Sequence, residues 1–127
     1  MTLVDDRGID CIIRREMNGK IDYFDIQIKA RSKDCKPYDA ARFAAMTIDI
    51  PRKNFWFIFY SEQLDKYWVV NSIELTQSGI ANQNKTGRNK GKWHINLAGY
   101  SSKKGKPTIN SRFEKYEDES GFKQLEV

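Results

Sequence analysis

Three side chains near the start of the chain have types and spacing that suit phosphoryl chemistry: Asp10, Gln27 and Lys29. Asp10 offers a carboxylate oxygen and Gln27 an amide oxygen. Two hard oxygens with free positions for water suit Mg²⁺, or Mn²⁺ in its place. The backbone carbonyl of Ile28 is a further oxygen between Gln27 and Lys29. A divalent ion held there lowers the pKa of a bound water and neutralises charge on a phosphoryl oxygen. Lys29 is placed to orient that water or to stabilise the anionic transition state.

The grouping rests on a hairpin. Ile9 to Arg15 and Tyr23 to Lys29 alternate in polarity, with Met17-Asn18-Gly19-Lys20 between them. Asn-Gly is the preferred pair for a two-residue type I′ turn, whose central residues both need positive φ. The pattern predicts an antiparallel hairpin of Gly8 to Met17 and Lys20 to Arg31. Counting back from the turn sets Ile12 opposite Asp25, Asp10 opposite Gln27 and Gly8 opposite Lys29. Asp10, Asp25, Gln27 and Lys29 then share one face with Ile12, Arg14 and Tyr23. Ile9, Cys11, Ile13, Phe24, Ile26 and Ile28 form an apolar set on the other face, expected to pack on the core. Gly8 leaves room for a phosphate backbone beside Lys29.

Gly8-Ile9-Asp10 followed by Phe24-Asp25-Ile26-Gln27-Ile28-Lys29 resembles the signature of the PD-(D/E)XK nuclease superfamily, in its variant with Gln before Lys. There an Asp begins one strand, and an acidic or glutamine residue precedes Lys by two positions on the next. The resemblance covers roughly the first half of the chain. It implies an α/β, restriction-endonuclease-like mixed sheet and Mg²⁺-dependent hydrolysis of DNA phosphodiesters. Asp10 and Gln27 would be metal ligands and Lys29 the catalytic lysine. It also implies a helix and a strand after the motif, for which Pro37 to Met46 and Asn54 to Ser61 are the candidates. The family core opens with a helix and then a strand before the Asp strand, and Met1 to Arg7 is too short for both. Asp5, Asp6 or Asp25 are candidates to replace the missing acid.

The remaining elements follow from local pattern. Pro37 to Met46 is alanine-rich, with Phe43 and Met46 spaced to share a helical face, and predicts a short helix. Asn54 to Ser61 is an aromatic strand, central and buried on both faces, and Lys66 to Val70 is another strand. Asn71 or Ser72 caps a short helix through Ser78. Ile80 to Gly91 is a polar loop, and Lys92 to Ala98 a strand with Trp93, Ile95 and Leu97 on one side. Tyr100 to Pro107 is a lysine-rich turn region. From Ser111 a final helix is expected, broken at Gly121.

The chain of 127 residues, 39% hydrophobic and 31% charged, reads as one folded domain with a formal charge of +5. Its charge is segregated. No Asp or Glu lies between Leu75 and Phe113, a stretch that holds Lys85, Arg88, Lys90, Lys92, Lys103, Lys104, Lys106 and Arg112. The tail from Glu114 is acidic. A basic block of this kind suits contact with nucleic acid, and solubility is its plainer explanation. No run approaches the roughly 20 apolar residues of a membrane span, so no membrane partner is expected. Cys11 and Cys35 form neither a disulfide framework nor a zinc pattern, and a cytoplasmic protein is expected. His94 stands alone, and Gly87 to Lys92 lacks the spacing of a phosphate loop. Trp56 and Trp68 read as core and Trp93 as half-buried packing.

Three functional readings follow: a metal-dependent nuclease acting on DNA, a catalytically inactive nucleic-acid-binding or assembly module on the same scaffold, or a small interaction protein whose basic block serves solubility. The absent opening elements imply a homodimer, or a partner protein that completes the sheet.

Overall fold

The computed structural model describes residues 2–6, 9–36, 39–48, 50–77, 80–101, 106–109 and 111–126. Its main sheet has five strands: β1 (Thr2–Asp6), β2 (Ile9–Met17), β3 (Lys20–Arg31), β5 (Phe55–Ser61) and β6 (Lys66–Asn71), in the order β1-β2-β3-β5-β6. The β2–β3 hairpin forms around Asn18 and Gly19, at φ 52° and 78°. Its register runs unbroken from Met17 opposite Lys20 to Cys11 opposite Ile26. β3 then pairs parallel to β5, which pairs antiparallel to β6. The sheet is therefore mixed.

A parallel pair needs a crossover, usually a helix. Here the crossover carries a strand. β4 (Arg42–Met46) joins β7 (Asn82–Gln83) and β8 (Trp93–Asn96) in a second sheet, ordered β4-β8-β7. This corrects the helix expected over Pro37 to Met46, of which Pro37 and Tyr38 lie outside the described residues. Ala41, Phe43, Met46 and Ile48 are buried, while Arg42, Ala44 and Thr47 are exposed. The register against β8 shifts between Phe43 and Met46. That irregularity puts two residues three apart on one face, the spacing that imitated a helix.

The second sheet covers the main-sheet face carrying Phe55, Phe57 and Phe59. Phe43, Met46, Ile48, Ile95 and Leu97 pack there with Trp68, Phe113 and Tyr116, and Trp93 packs half-buried at the margin. The opposite face is smaller. Cys11, Phe24, Ile26, Trp56 and Val69 meet Leu125 of the C-terminal helix there. Of the hairpin's apolar set, Cys11, Phe24 and Ile26 are buried and Ile13 packs against them, the side chain of Ile9 lies outside the described ones, and Ile28 is 45% exposed. Trp56 and Trp68 are both core residues.

Asn71 caps α1 (Ser72–Leu75) by accepting the Ile73 N–H at 2.9 Å. β9 (Ala98–Ser101) and β10 (Lys106–Ile109) make a two-stranded ribbon, so the expected turn region is a hairpin whose residues 102–105 lie outside the described set. The chain ends in a 3-10 helix, Ser111–Tyr116, and α2 (Asp118–Glu126). The interruption falls at Glu117 and Asp118, the latter at φ 46°, and Gly121 lies inside α2. This corrects the expected break at Gly121.

This C-terminal segment closes the outer edge of β6. Glu117 bridges to Trp68, the Tyr67 N–H donates to Asp118 Oδ1 at 3.1 Å, and Gln124 Nε2 donates to the Val69 carbonyl at 3.1 Å. Lys66 Nζ lies 3.3 Å from Glu117 Oε2 and 3.6 Å from Asp118 Oδ2. Burial alone would lower the Lys66 pKa, but these carboxylates outweigh it and hold the ammonium above its ordinary 10.5. Burial, with the charges of Asp118 and Glu119, pushes the Tyr67 phenol above 10.0. Both folded values exceed the unfolded ones. Their contribution to stability is therefore complete below the unfolded values and is lost as pH rises past them. The urea midpoint is expected to fall as pH rises above roughly 10, and Lys66→Met should flatten part of that fall. The same slope in parent and variant would show that the Lys66 clamp adds nothing.

At the other edge, no described strand pairs with the outer side of β1. Among the described residues no helix is long and apolar enough to cross a membrane.

Candidate active-site face of the hairpin

The paired register ends at the Cys11–Ile26 rung; continued one step, it would set Asp10 beside Gln27, on the face of Ile12 and Asp25. Lys29 follows two residues on, about 7 Å along the strand. In a two-residue hairpin the hydrogen-bonded rungs alternate, so the next after Cys11–Ile26 would be Ile9–Ile28. The Ile28 N–H donates instead to Asp10 Oδ2, at 2.6 Å. The Asp10 carboxylate has turned onto the backbone of the strand that carries Gln27 and Lys29. One of its oxygens is held and its residue is exposed.

Gln27 is 7% exposed, beside Phe57 in the parallel register. Its face is not the solvated one that alternation suggested, because the second sheet covers it. Its amide makes no hydrogen bond to another described side chain or backbone group. Although the residue is 7% exposed overall, the Gln27 amide is not a sealed group and is open to water. Lys29 is half-buried, opposite Phe59, and forms no ion pair with a described residue.

Asp25, on the same face, is taken. Arg52 pairs with its carboxylate and lies over the Phe55 ring at 5.0 Å. Arg52 is placed by its backbone: its N–H donates to Ser72 Oγ at 3.0 Å, and the Ser72 hydroxyl donates to its carbonyl at 2.9 Å. Sequence reasoning missed Arg52, which lies in a loop 27 residues from Asp25 and joins it only through the parallel crossover. Asp5 and Asp6 lie on β1, where Asp6 stands opposite Ile9. Gly8 lies outside the described residues.

Cys11, on the opposite face next to Asp10, is a free thiol. Burial pushes its pKa above 9.0, and the Asp10 charge adds to the shift. Cys35 is also free, and His94 is half-buried on β8. Among the described residues no three His, Cys, Asp or Glu side chains come together as a metal cage.

Lys85, Arg88, Lys90 and Lys92 are all exposed. They sit on the connection between β7 and β8, in the second sheet, and not on the β2–β3 hairpin. Lys103 and Lys104 lie outside the described residues, and Lys106 opens β10.

Compared with protein-family models, curated proteins and solved structures, the chain matches none.

Proposed function

We propose that the protein is a metal-dependent nuclease that hydrolyses DNA phosphodiester bonds at Asp10, Gln27 and Lys29. The observation that carries this reading is the Ile28 N–H bond to Asp10 Oδ2, which ties the Asp10 carboxylate to the strand of Gln27 and Lys29 and leaves its other oxygen available. The donor set suits Mg²⁺ or Mn²⁺: hard oxygens, few of them, with room for water. Asp10 and Gln27 would hold the ion, which when bound supplies an activated water and neutralises phosphoryl charge. Lys29 stands on the same face and points a cation at the developing negative charge. Asp25 is neutralised by Arg52 and shapes the face without contributing net charge.

Two features of the fold support the resemblance to PD-(D/E)XK nucleases. β1 supplies the strand that precedes the Asp strand, an element the short N-terminal segment had been read as too brief to include together with a helix. β5 follows the motif where the resemblance implies a strand, and it pairs parallel to β3. The crossover between them departs, with β4 where a helix was expected. A partner strand on the β1 edge, from a second copy or another protein, is part of this reading.

A second reading is favoured by one observation. Asp10 already accepts the Ile28 N–H, and no carboxylate cluster surrounds it among the described residues. A nucleic-acid-binding module with a lapsed metal site would look the same.

Gln27→Glu separates the two without knowledge of the substrate. It sets a carboxylate in a buried position, where the continued register puts it beside Asp10. Without a divalent ion the variant should lose about 1–3 kcal/mol of stability through desolvation and repulsion. Millimolar Mg²⁺ should restore most of that loss and raise the unfolding midpoint of the variant more than that of the parent. An equal Mg²⁺ effect on both proteins removes the metal site and leaves the binding module.

A further inference from the structure

The outer edge of β2 is open near the hairpin turn. β1 covers it as far as Thr2, opposite Ile12, and no described strand lies beside residues 13–17. The β2–β3 register decides which backbone groups are left there. Rungs that exchange hydrogen bonds alternate along an antiparallel pair, and a two-residue turn closes on one of them. Ile13, Arg15 and Met17 therefore turn N–H and C=O towards β3, opposite Phe24, Asp22 and Lys20. Arg14 and Glu16 turn theirs outwards, where no described backbone group meets them. Side chains flank this edge on both faces of the sheet. On one face Ile13 and Met17 border a groove with Phe122 and Leu125 of α2, and Met17 and Phe122 are 43% and 37% exposed. On the other, Arg14 and Glu16 are exposed and pair with each other along the strand at 3.4 Å. Arg15, between them, is drawn inwards. Its guanidinium donates to Asp22 Oδ2 at 3.1 Å and to the Leu125 carbonyl at 2.7 Å, and lies over the Phe24 ring.

We infer that a second copy of this chain pairs with this edge, its own residues 13–17 running antiparallel about a two-fold axis at Arg15. Backbone and charge together fix the register. Only Arg14 and Glu16 offer outward backbone groups, so a hydrogen-bonded rung joins Arg14 to Arg14, Glu16 to Glu16, or Arg14 to Glu16 of the other copy. The first two set like charges directly opposite at the axis, which destabilises a strand pair. The third sets Arg14 of each copy across from Glu16 of the other, and both rungs exchange backbone hydrogen bonds. In that register Ile13 lies across from Met17 of the other copy, and the two apolar grooves join on one face of a continuous sheet. Pairing ends there, because the place opposite Ile12 is held by Thr2 and the second copy turns at its own Asn18. Charged residues commonly deter pairing at an open edge. Here the signs alternate, so they deter other strands and accept a second copy. The contact is separate from the outer side of β1, and the inference goes beyond the nuclease reading without resting on it.

The test is sedimentation equilibrium of the full chain, which should show a reversible monomer–dimer equilibrium below about 1 mM. Arg14→Glu and Glu16→Arg should each weaken association about tenfold or more, since each sets like charges opposite in both rungs. Mixed one to one, these two variants should associate again, because every rung then joins opposite charges. The double variant Arg14→Glu with Glu16→Arg should associate as the parent does. Both positions are exposed, so the variants should fold as the parent does, which circular dichroism checks. Cross-linking in a Cys35→Ser background reads the register, Cys11 being buried. Ile13→Cys mixed with Met17→Cys should give the mixed disulfide at least about tenfold over either homodisulfide. Like positions would lie about 13 Å apart, and a disulfide needs Cα atoms within about 7 Å. A parent that is monomeric at about 1 mM, a dimer that both charge reversals leave intact, or homodisulfides in equal yield overturns the proposal. None of these readouts needs a metal or cleavage, so failure of the nuclease reading leaves the dimer standing, and a monomer that cleaves DNA removes the dimer alone.

Discussion

Lys29→Ala should lower Mg²⁺-dependent cleavage of DNA by about a hundredfold to a thousandfold, the range for removing one fixed group that stabilises transition-state charge. Its effect on stability should be small. Lys29 is half-buried opposite Phe59, so truncation removes some packing by the aliphatic stem but opens no core cavity. Asp10→Asn is the companion change. An asparagine amide oxygen still accepts the Ile28 N–H that Asp10 Oδ2 now holds at 2.6 Å. The end of the hairpin should therefore survive while the negative charge is lost. Both variants should retain DNA binding in EDTA. Cleavage by Lys29→Ala at the parental rate would remove the lysine from the mechanism. Absence of cleavage by the parent under Mg²⁺ and Mn²⁺ would transfer the site to the binding-module reading.

Gly121→Ala should destabilise the protein by about 2–3 kcal/mol, close to a 10 °C fall in the unfolding midpoint for a chain of this size. Helix propensity predicts the opposite sign. Gly121 is inside α2, where alanine is better by about 1 kcal/mol. Tertiary contact outweighs it. A Cβ at this position would overlap the Tyr116 carbonyl and stand 3.1 Å from Val69 Cβ. The carbonyl is backbone and has little freedom to move. Tyr116 is buried, and its hydroxyl donates to Glu74 Oε2 at 2.5 Å. Relief would have to come from displacing α2, and with it the Leu125 contact and the closure of the β6 edge. A midpoint raised by the alanine would mean that α2 does not pack as described.

Where order depends on neighbours in the chain, the amino-acid sequence was enough. Asn18-Gly19 admits one turn, the turn sets the register from Met17–Lys20 to Cys11–Ile26, and alternation along β3 then assigns Gln27 and Lys29 to the face of Asp25. Asn71 is a cap because its side chain reaches the backbone two residues on. The aromatic run Phe55 to Ser61 is a central strand because only burial on both faces accommodates it.

Tertiary structure decided what depends on distant segments. Pro37 to Met46 reads as a helix, and pairing with β8 through an irregular register made Arg42–Met46 a strand. Gly121 looks like a helix breaker in isolation and is a close-approach residue because Tyr116 and Val69 meet it. The face of Gln27 reads as solvated until the second sheet covers it. Arg52 meets Asp25 only because a crossover returns the chain parallel to β3. Turns and alternation are set by φ, ψ and side-chain direction over a few residues. Which face is wet, which charge is paired and which glycine is crowded are set by segments tens of residues away, whose arrival no local pattern encodes.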